Sequence, residues 1–241
     1  MEYIHTSCEI TKNHLLRNGI DEKKIIIIPI GIEVADFAPY DREIKIKLRD
    51  RNEIPKDSFV IGSFQKDGNG WGEGEEPKLI KGPDIFCDTL EKISKNSNIF
   101  VVLTGPSRGY VKKRLEDLNI KYKHFYLNDY KKINEYYNLL DLYIVSSRLE
   151  GGPRALLESQ AAGVPIVSTR VGMADDVITD GINGFLVDDL GVGGLVKKCE
   201  DLINNNTLRE LFVNNGLKSV KRYDYKIIAQ EYYDKIYKKL L

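Results

Sequence analysis

The sequence has few cysteines, no CxxC pair and no surplus of charge of either sign, and each shortage removes a class of function. Cys8, Cys87 and Cys199 are the only three cysteines among 241 residues, too far apart for a zinc site or a disulfide framework. A reducing cytoplasm suits such a chain. Lys plus Arg and Asp plus Glu number 36 each, so no net field draws the protein to nucleic acid or to an anionic membrane. No apolar run approaches the roughly 18 residues of a membrane span. Met1-Glu-Tyr-Ile-His lacks the basic region and apolar core of a signal peptide, so neither export nor a membrane anchor is expected. The glycine-rich stretch 65–80 carries Gly68, Gly70, Gly72 and Gly74 without the GxGxxG spacing of a dinucleotide site. No DxD-type aspartate pair closes a strand, and there is no internal repeat.

What is present is alternation. Short apolar runs rich in β-formers predict strands at 25–28, 59–64, 99–104, 124–127, 142–145, 165–169 and 185–187. Helical patterns predict helices at 6–18, 41–52, 82–94, 111–118, 131–139, 153–162, 195–204, 208–220 and 225–241. Thr6 or Ser7 reads as the first cap, and Ile44, Ile46 and Leu48 as buried positions of the second helix. Asp175-Asp176 reads as the cap of a short helical turn. The last helix has a stripe of Ile228, Tyr232, Ile236 and Leu240. Strand–helix alternation over this length argues an α/β fold, a doubly wound, Rossmann-like parallel sheet with helices on both faces and ligands at the carboxyl ends of the strands.

The stretch 150–158, EGGPRALLE, joins two of those strands. Gly151 and Gly152 offer backbone freedom and leave no side chain between main chain and ligand. Pro153 suits the first helical position, and free amides at the helix start, with the macrodipole behind them, make an anion site. Glu150 and Glu158 bracket it. Eight residues of helix at about 1.5 Å each separate them by roughly 12 Å, a span for a long ligand with a charged middle. The plain alternative is a pair of ordinary helix glutamates.

Residues 150–187, EGGPRALLESQAAGVPIVSTRVGMADDVITDGINGFLV, resemble the signature of retaining GT-B glycosyltransferases, the glycosyl transferases group 1 of the large family 4, whose paired glutamates have this seven-residue gap. The match runs from about Lys24 to the C-terminus and is most specific over 146–187. It implies one half of a GT-B fold, the C-terminal half that binds a nucleotide diphosphate sugar, and transfer of the sugar to a hydroxyl with retention. Glu150 and Lys81 then carry the chemistry. Lys81, from the Lys-Gly pair that opens the third helix, holds the diphosphate; Lys66 is its candidate companion, since Ser63 stands where many relatives have Arg. Gly151, Gly152, Pro153 and Arg154 form the donor wall, although Arg154 could also face solvent. Glu158 binds ribose hydroxyls, and Gly105 and Tyr126 lie near the base, which main chain mostly holds. His124 is given no catalytic role, and the 65–80 stretch is a mobile surface loop or a lid.

The resemblance also implies a division of the chain. Residues 1–22 form an N-terminal helix, a remnant of or link to an absent acceptor domain; residues 23–222 form the donor domain; residues 223–241 form the crossing helix. Neither cofactor nor metal is expected. The expected partners are the nucleotide-sugar donor and a missing N-terminal acceptor domain or partner subunit, without which transfer fails. The expected location is cytoplasmic, with peripheral contact at the inner membrane face through the lysines of the last helix as the weaker alternative. Glycan, polysaccharide or glycolipid synthesis is the implied setting; the other reading is a non-catalytic nucleotide-sugar binding or regulatory module.

Overall fold

Two segments near the N-terminus pair outside the main sheet. In the computed structural model, which describes residues 3–188 and 191–240 with the side chain of Leu240 excepted, strand β1 (Ile4–Thr6) leads through helix α1 (Glu9–Arg17) to strand β2 (Ile25–Ile27). β1 and β2 run parallel as a two-stranded sheet. Helix α2 (Arg42–Arg51) follows, and then the main sheet begins.

Six strands build that sheet: β3 (Phe59–Phe64), β4 (Ile99–Thr104), β5 (Tyr122–Phe125), β6 (Leu142–Val145), β7 (Ile166–Thr169) and β8 (Phe185–Val187). Every pairing is parallel, in the order β5-β4-β3-β6-β7-β8. Helices α3 (Pro83–Ser94), α4 (Gly109–Asp117), α5 (Ile133–Tyr137), α6 (Ala155–Ala161), α7 (Ala174–Val177), α8 (Val192–Asn204), α9 (Asn206–Ser219) and α10 (Tyr225–Tyr232) connect and cover them. The chain ends in one π turn (Tyr233–Tyr237) and a last helical turn, α11 (Lys238–Leu240).

Side chains along a strand alternate between faces, so each central strand feeds two cores. Val60, Phe100, Val102, Tyr143 and Val145 pack with Tyr137 of α5 and with Leu156 and Leu157 of α6. Ile61, Val101, Leu103, Leu142 and Ile144 pack on the other face with Phe86 and Leu90 of α3, Leu115 of α4 and Leu195 of α8. Each such fully buried side chain contributes about 1.5–3 kcal/mol of transfer free energy. The doubly wound arrangement expected from the alternation is therefore present. Chain order reverses between β3 and β6: β4 and β5 build outward on one side, then the chain crosses back to place β6 on the other side of β3. A crevice opens at such a switch point beyond the carboxyl ends of the two strands.

Several local expectations give way to non-local contacts. Thr6 ends a strand rather than capping a helix; its carbonyl accepts from Ile28 N–H at 3.0 Å, and α1 starts at Glu9 after Cys8. The four isoleucines do not enter the main sheet; Ile25–Ile27 are half-buried against β1. On α2 only Leu48 is buried, whereas Ile44 and Ile46 are nearly half exposed. The reason is spacing, because residues two apart share a face in a strand and not in a helix. Asp175 and Asp176 do not cap α7, which Met173 precedes without a side-chain bond. Asp176 instead accepts from Glu9 N–H at 3.4 Å at the start of α1, and Asp175 pairs with Arg170. The last helix folds onto its own chain: Ile228 is buried, Tyr232 Oη is 3.1 Å from His5 Nε2, and Lys235 Nζ donates to Ile27 O at 3.3 Å. Ile236 is half-buried, and the side chain of Leu240 in the expected stripe lies outside the described residues. Among the described residues no helix is long and apolar enough to cross a membrane.

Candidate functional site

The crevice between β3 and β6 is closed by a glycine. Lys81 ends a 3-10 turn (Leu79–Lys81), and Gly82 follows with φ of 62°. A Cβ at Gly82 would lie 1.9 Å from the Ser146 carbonyl oxygen at the end of β6, so only glycine lets the start of α3 rest there. Ser146 Oγ donates to Gly82 O at 2.8 Å. The amides of Arg148 and Leu149 both donate to Ile80 O, and the Arg148 guanidinium grips both oxygens of Asp84. Two segments far apart in sequence are thus fastened side by side. Lys81 Nζ then sits 2.6 Å from both carboxylate oxygens of Glu150, with Ser147 Oγ donating to Oε1 at 2.9 Å.

Glu158 is 2% exposed, one turn into α6. Its oxygens accept from Tyr130 Oη at 2.8 Å and 2.9 Å and from Tyr137 Oη at 3.0 Å, and Arg154 lies 3.4 Å from Oε1. Burial pushes the Glu158 carboxyl above the usual carboxylate range, against the pull of Tyr130 and Arg154. Burial, reinforced by the nearby carboxylate, also raises both phenols, so they stay protonated as donors. The Glu150–Glu158 stretch is not one helix: α6 begins at Ala155, and Pro153 precedes the Arg154 cap rather than opening the helix. The helical spacing expected for the two carboxylates therefore does not apply. Their separation is set by the 150–154 loop.

Two adjoining cavities meet at this place. One, of about 360 Å³, is lined by Lys66, Lys78, Lys81, Glu150, Gly152, Pro153, Arg154 and Glu158. The other, of about 330 Å³, is lined by Thr104, Gly105, Tyr126 and Leu127 at the ends of β4 and β5. Phe64, Gln65, Lys66 and Tyr130 face both. Nine of the ten expected site residues thus line one cavity or the other. Gly151 is the exception, since its carbonyl accepts from Ser7 Oγ at 3.1 Å and Cys8 Sγ at 3.4 Å. Neither Gly151 nor Gly152 adopts a left-handed backbone. At Gly152 a Cβ would meet Ile30 Cδ1 at 2.5 Å and Met173 Sδ at 3.1 Å, so a side chain there would have to push Ile30 aside.

The 65–80 loop contacts the segment around Arg108 at several points. Asp67 and Arg108 form an ion contact at 2.9 Å, with side chains 1% and 0% exposed. The Arg108 guanidinium also donates to Ser63 O and Thr104 O at 2.6 Å and 2.9 Å. Gly109 N–H donates to Glu73 O at 2.6 Å and Tyr110 N–H to Gly74 O at 2.9 Å. Lys66 Nζ rests 3.8 Å from the ring centroid of Trp71, which is 92% exposed. His124 is structural here: its Nε2 is 2.7 Å from Gly105 O, and burial lowers its pKa. Sequence reasoning missed Tyr130, Ser147, Lys78, Asp67 and Arg108. Asp129, whose carboxylate caps the 3-10 turn by accepting from Lys131 N–H at 3.0 Å, directly precedes Tyr130, whereas the Asp67–Arg108 pair joins positions that carry no shared local pattern.

Comparison with known proteins agrees with this geometry. The profile of the family described as glycosyl transferases group 1 matches residues 77–219, more than half of the chain. An uncharacterized glycosyltransferase of Methanocaldococcus jannaschii is 30% identical over the whole chain, which spans 59% of that protein. The UDP-Gal:alpha-D-GlcNAc-diphosphoundecaprenol alpha-1,3-galactosyltransferase of Escherichia coli is 26% identical over 85% of the chain, 53% of its own length. The chain thus spans a little over half the length of these relatives. Among solved structures, Anabaena HepE in complex with UDP-glucose superposes with a TM-score of 0.83 at 18% identity, covering 98% of this chain and 64% of that one. The six-stranded sheet and its helices are accordingly the Rossmann-like half of a GT-B fold. On the family match, the chain belongs to the glycosyl transferases group 1.

Proposed function

We propose that this chain is the donor-binding half of a retaining, metal-independent glycosyltransferase that passes a sugar from a nucleotide diphosphate sugar to a hydroxyl acceptor. The observation that carries it is the Lys81–Glu150 pair at 2.6 Å, held at the switch point of the sheet and open to a lysine-lined cavity. In this reading Lys81, with Lys66 and Lys78, stabilises the leaving diphosphate, which develops charge as the sugar departs. Glu150 binds sugar hydroxyls near the reacting carbon and is not a covalent nucleophile. Glu158 takes the ribose hydroxyls, and the base enters the cavity beside Gly105 and Tyr126. The UDP-glucose in the Anabaena structure and the UDP-Gal donor in the E. coli relative's name support a uridine nucleotide as the first to test. The acceptor is held by a second half facing this one across a cleft, and the division at 1–22, 23–222 and 223–241 belongs to the same proposal.

Calorimetric titration of the chain with UDP, GDP and ADP and their glucose conjugates tests the reading. One nucleotide binds, and Lys81→Ala weakens it at least tenfold, since a charge-assisted hydrogen bond is worth about 1.5–3 kcal/mol. Absence of binding by all of them, or undiminished binding by Lys81→Ala, refutes it. Joined to an acceptor half, the wild type transfers sugar and Glu150→Ala does not; binding without transfer in that form would make the chain a binding module.

A further inference from the structure

The carboxylate of Glu158 already has an occupant. It is buried at the wall of the larger cavity, and two phenols donate to it, but they differ in freedom. Tyr137 is fully buried, its ring packed against Phe37, Phe64 and Tyr143 at centroid distances of 6.2 Å, 4.8 Å and 5.5 Å. It cannot leave without opening the core. Tyr130 is 55% exposed, on a 3-10 turn (Tyr130–Lys132) outside the main helices, and it stands at the junction of the two cavities. Its Oη lies 2.8 Å and 2.9 Å from the two Glu158 oxygens. A phenol has a single proton, so this one donor is shared between two acceptors.

We propose that Tyr130 is the gate and specificity residue of the nucleotide site: its hydroxyl holds the Glu158 carboxylate in the free protein and yields it to the vicinal hydroxyls of a ribonucleoside diphosphate. The proposal rests on the donor-site reading above. A diol brings two donors to two oxygens, as a guanidinium fork does, and so replaces one shared bond with two separate ones. A nucleotide without the diol offers nothing in exchange and leaves the tyrosine in place. Arg154, 3.4 Å from Oε1 and 5.8 Å from the Tyr130 ring centroid, keeps a positive charge beside the carboxylate while its partners change. Tyr137 stays on Oε2 throughout.

The test is calorimetric titration of the wild type and Tyr130→Phe with UDP, GDP and ADP and with their 2′,3′-dideoxy forms. Phenylalanine keeps the ring of a half-exposed residue and removes only the competing hydroxyl. In Tyr130→Phe the ribonucleotide that the wild type binds gains about tenfold in affinity, the lower end of a hydrogen bond to a charged group, while its dideoxy form gains nothing. Equal gains for the two forms, or an unchanged or weaker ribonucleotide, overturn the role of Tyr130 and leave the donor site standing. A wild type that binds none of the nucleotides overturns both.

Discussion

The Lys81–Glu150 pair predicts a separation of roles that a four-protein cycle can read. The side chains are 24% and 11% exposed, so each single truncation leaves a largely enclosed charge behind. Lys81→Ala leaves the Glu150 carboxylate with Ser147 Oγ, and Glu150→Ala leaves the Lys81 ammonium facing Lys66 and Lys78 across the cavity. Breaking a fully buried pair costs about 3–5 kcal/mol, and an exposed pair is worth at most about 1. This pair lines an open cavity and is partly exposed, which places each single loss at about 1–2 kcal/mol between those limits. For a chain of this size that is a fall of about 2–8 °C in melting temperature. The double variant is less destabilised than the sum of the two, with a coupling of about 1 kcal/mol. Titration with UDP and UDP-glucose completes the cycle. Lys81→Ala loses affinity for both ligands, because both carry the diphosphate. Glu150→Ala frees Lys81 and so binds UDP at least as well as the wild type, and loses only the increment due to the sugar. A coupling within about 0.3 kcal/mol of zero, or equal loss of UDP and UDP-glucose in Glu150→Ala, refutes the assignment.

Other consequences can be measured on the same protein. Because burial raises the Glu158 carboxyl, the folded state holds a proton that the unfolded chain gives up, and stability falls as pH rises from the ordinary glutamate value through the raised one. Glu158→Gln removes that slope, so urea unfolding from pH 4 to 8 shows a flatter profile and a more stable free protein near neutrality, with nucleotide affinity reduced; a steeper profile contradicts the burial argument. Asp67 and Asp176 are raised by burial in the same sense, so part of the slope persists. Trp71 is the single tryptophan and carries Lys66 on its ring, so its emission shifts when UDP draws the lysine away. Lys66→Ala abolishes that shift, and a shift of equal size in the variant excludes the lysine as its source. Arg108→Ala strands the buried Asp67 carboxylate and frees the Ser63 and Thr104 carbonyls, for a loss of about 3–5 kcal/mol in urea unfolding. Arg108→Ala with Asp67→Asn recovers part of it, and no recovery refutes the pairing.

The legible parts of the chain were those decided by local pattern or by burial on both faces. β3, β4 and β6 are apolar runs because a central parallel strand has no solvent side, and each falls within a residue or two of its expected place. That Lys81 and Glu150 share one cavity was expected through the resemblance, and their contact follows from Gly82, whose lack of a side chain lets α3 touch β6. Illegible features depend on partners distant in sequence. β1 is three residues whose only reason to be a strand is β2, and Asp176 caps a helix it does not belong to. The burial of Glu158 is set by Tyr130 and Tyr137, which approach α6 from across the β5–β6 connection. Nothing in the spacing of EGGPRALLE distinguishes that glutamate from an exposed one.

One pattern joins three of the groups expected to meet a donor. Lys81 is held by Glu150, Lys66 by the Trp71 ring, and Glu158 by Tyr130. Isolated, a largely buried lysine or glutamate would either change its protonation or destabilise the fold. Paired, each is held in its place before a ligand arrives. On the proposed function, donor binding is an exchange of partners rather than a simple gain of contacts, so its net affinity is smaller than the count of new hydrogen bonds suggests. It also follows that these groups act together. A diphosphate that draws Lys81 away uncovers Glu150 for the sugar, and a ribose that displaces Tyr130 moves a ring that lines both cavities. On the proposed function a nucleotide diphosphate sugar can complete every exchange at once, whereas phosphate, nucleoside or free sugar leaves at least one of them unmade. Under that proposal, selectivity for the whole donor arises from these internal pairs, without requiring any single contact to be strong.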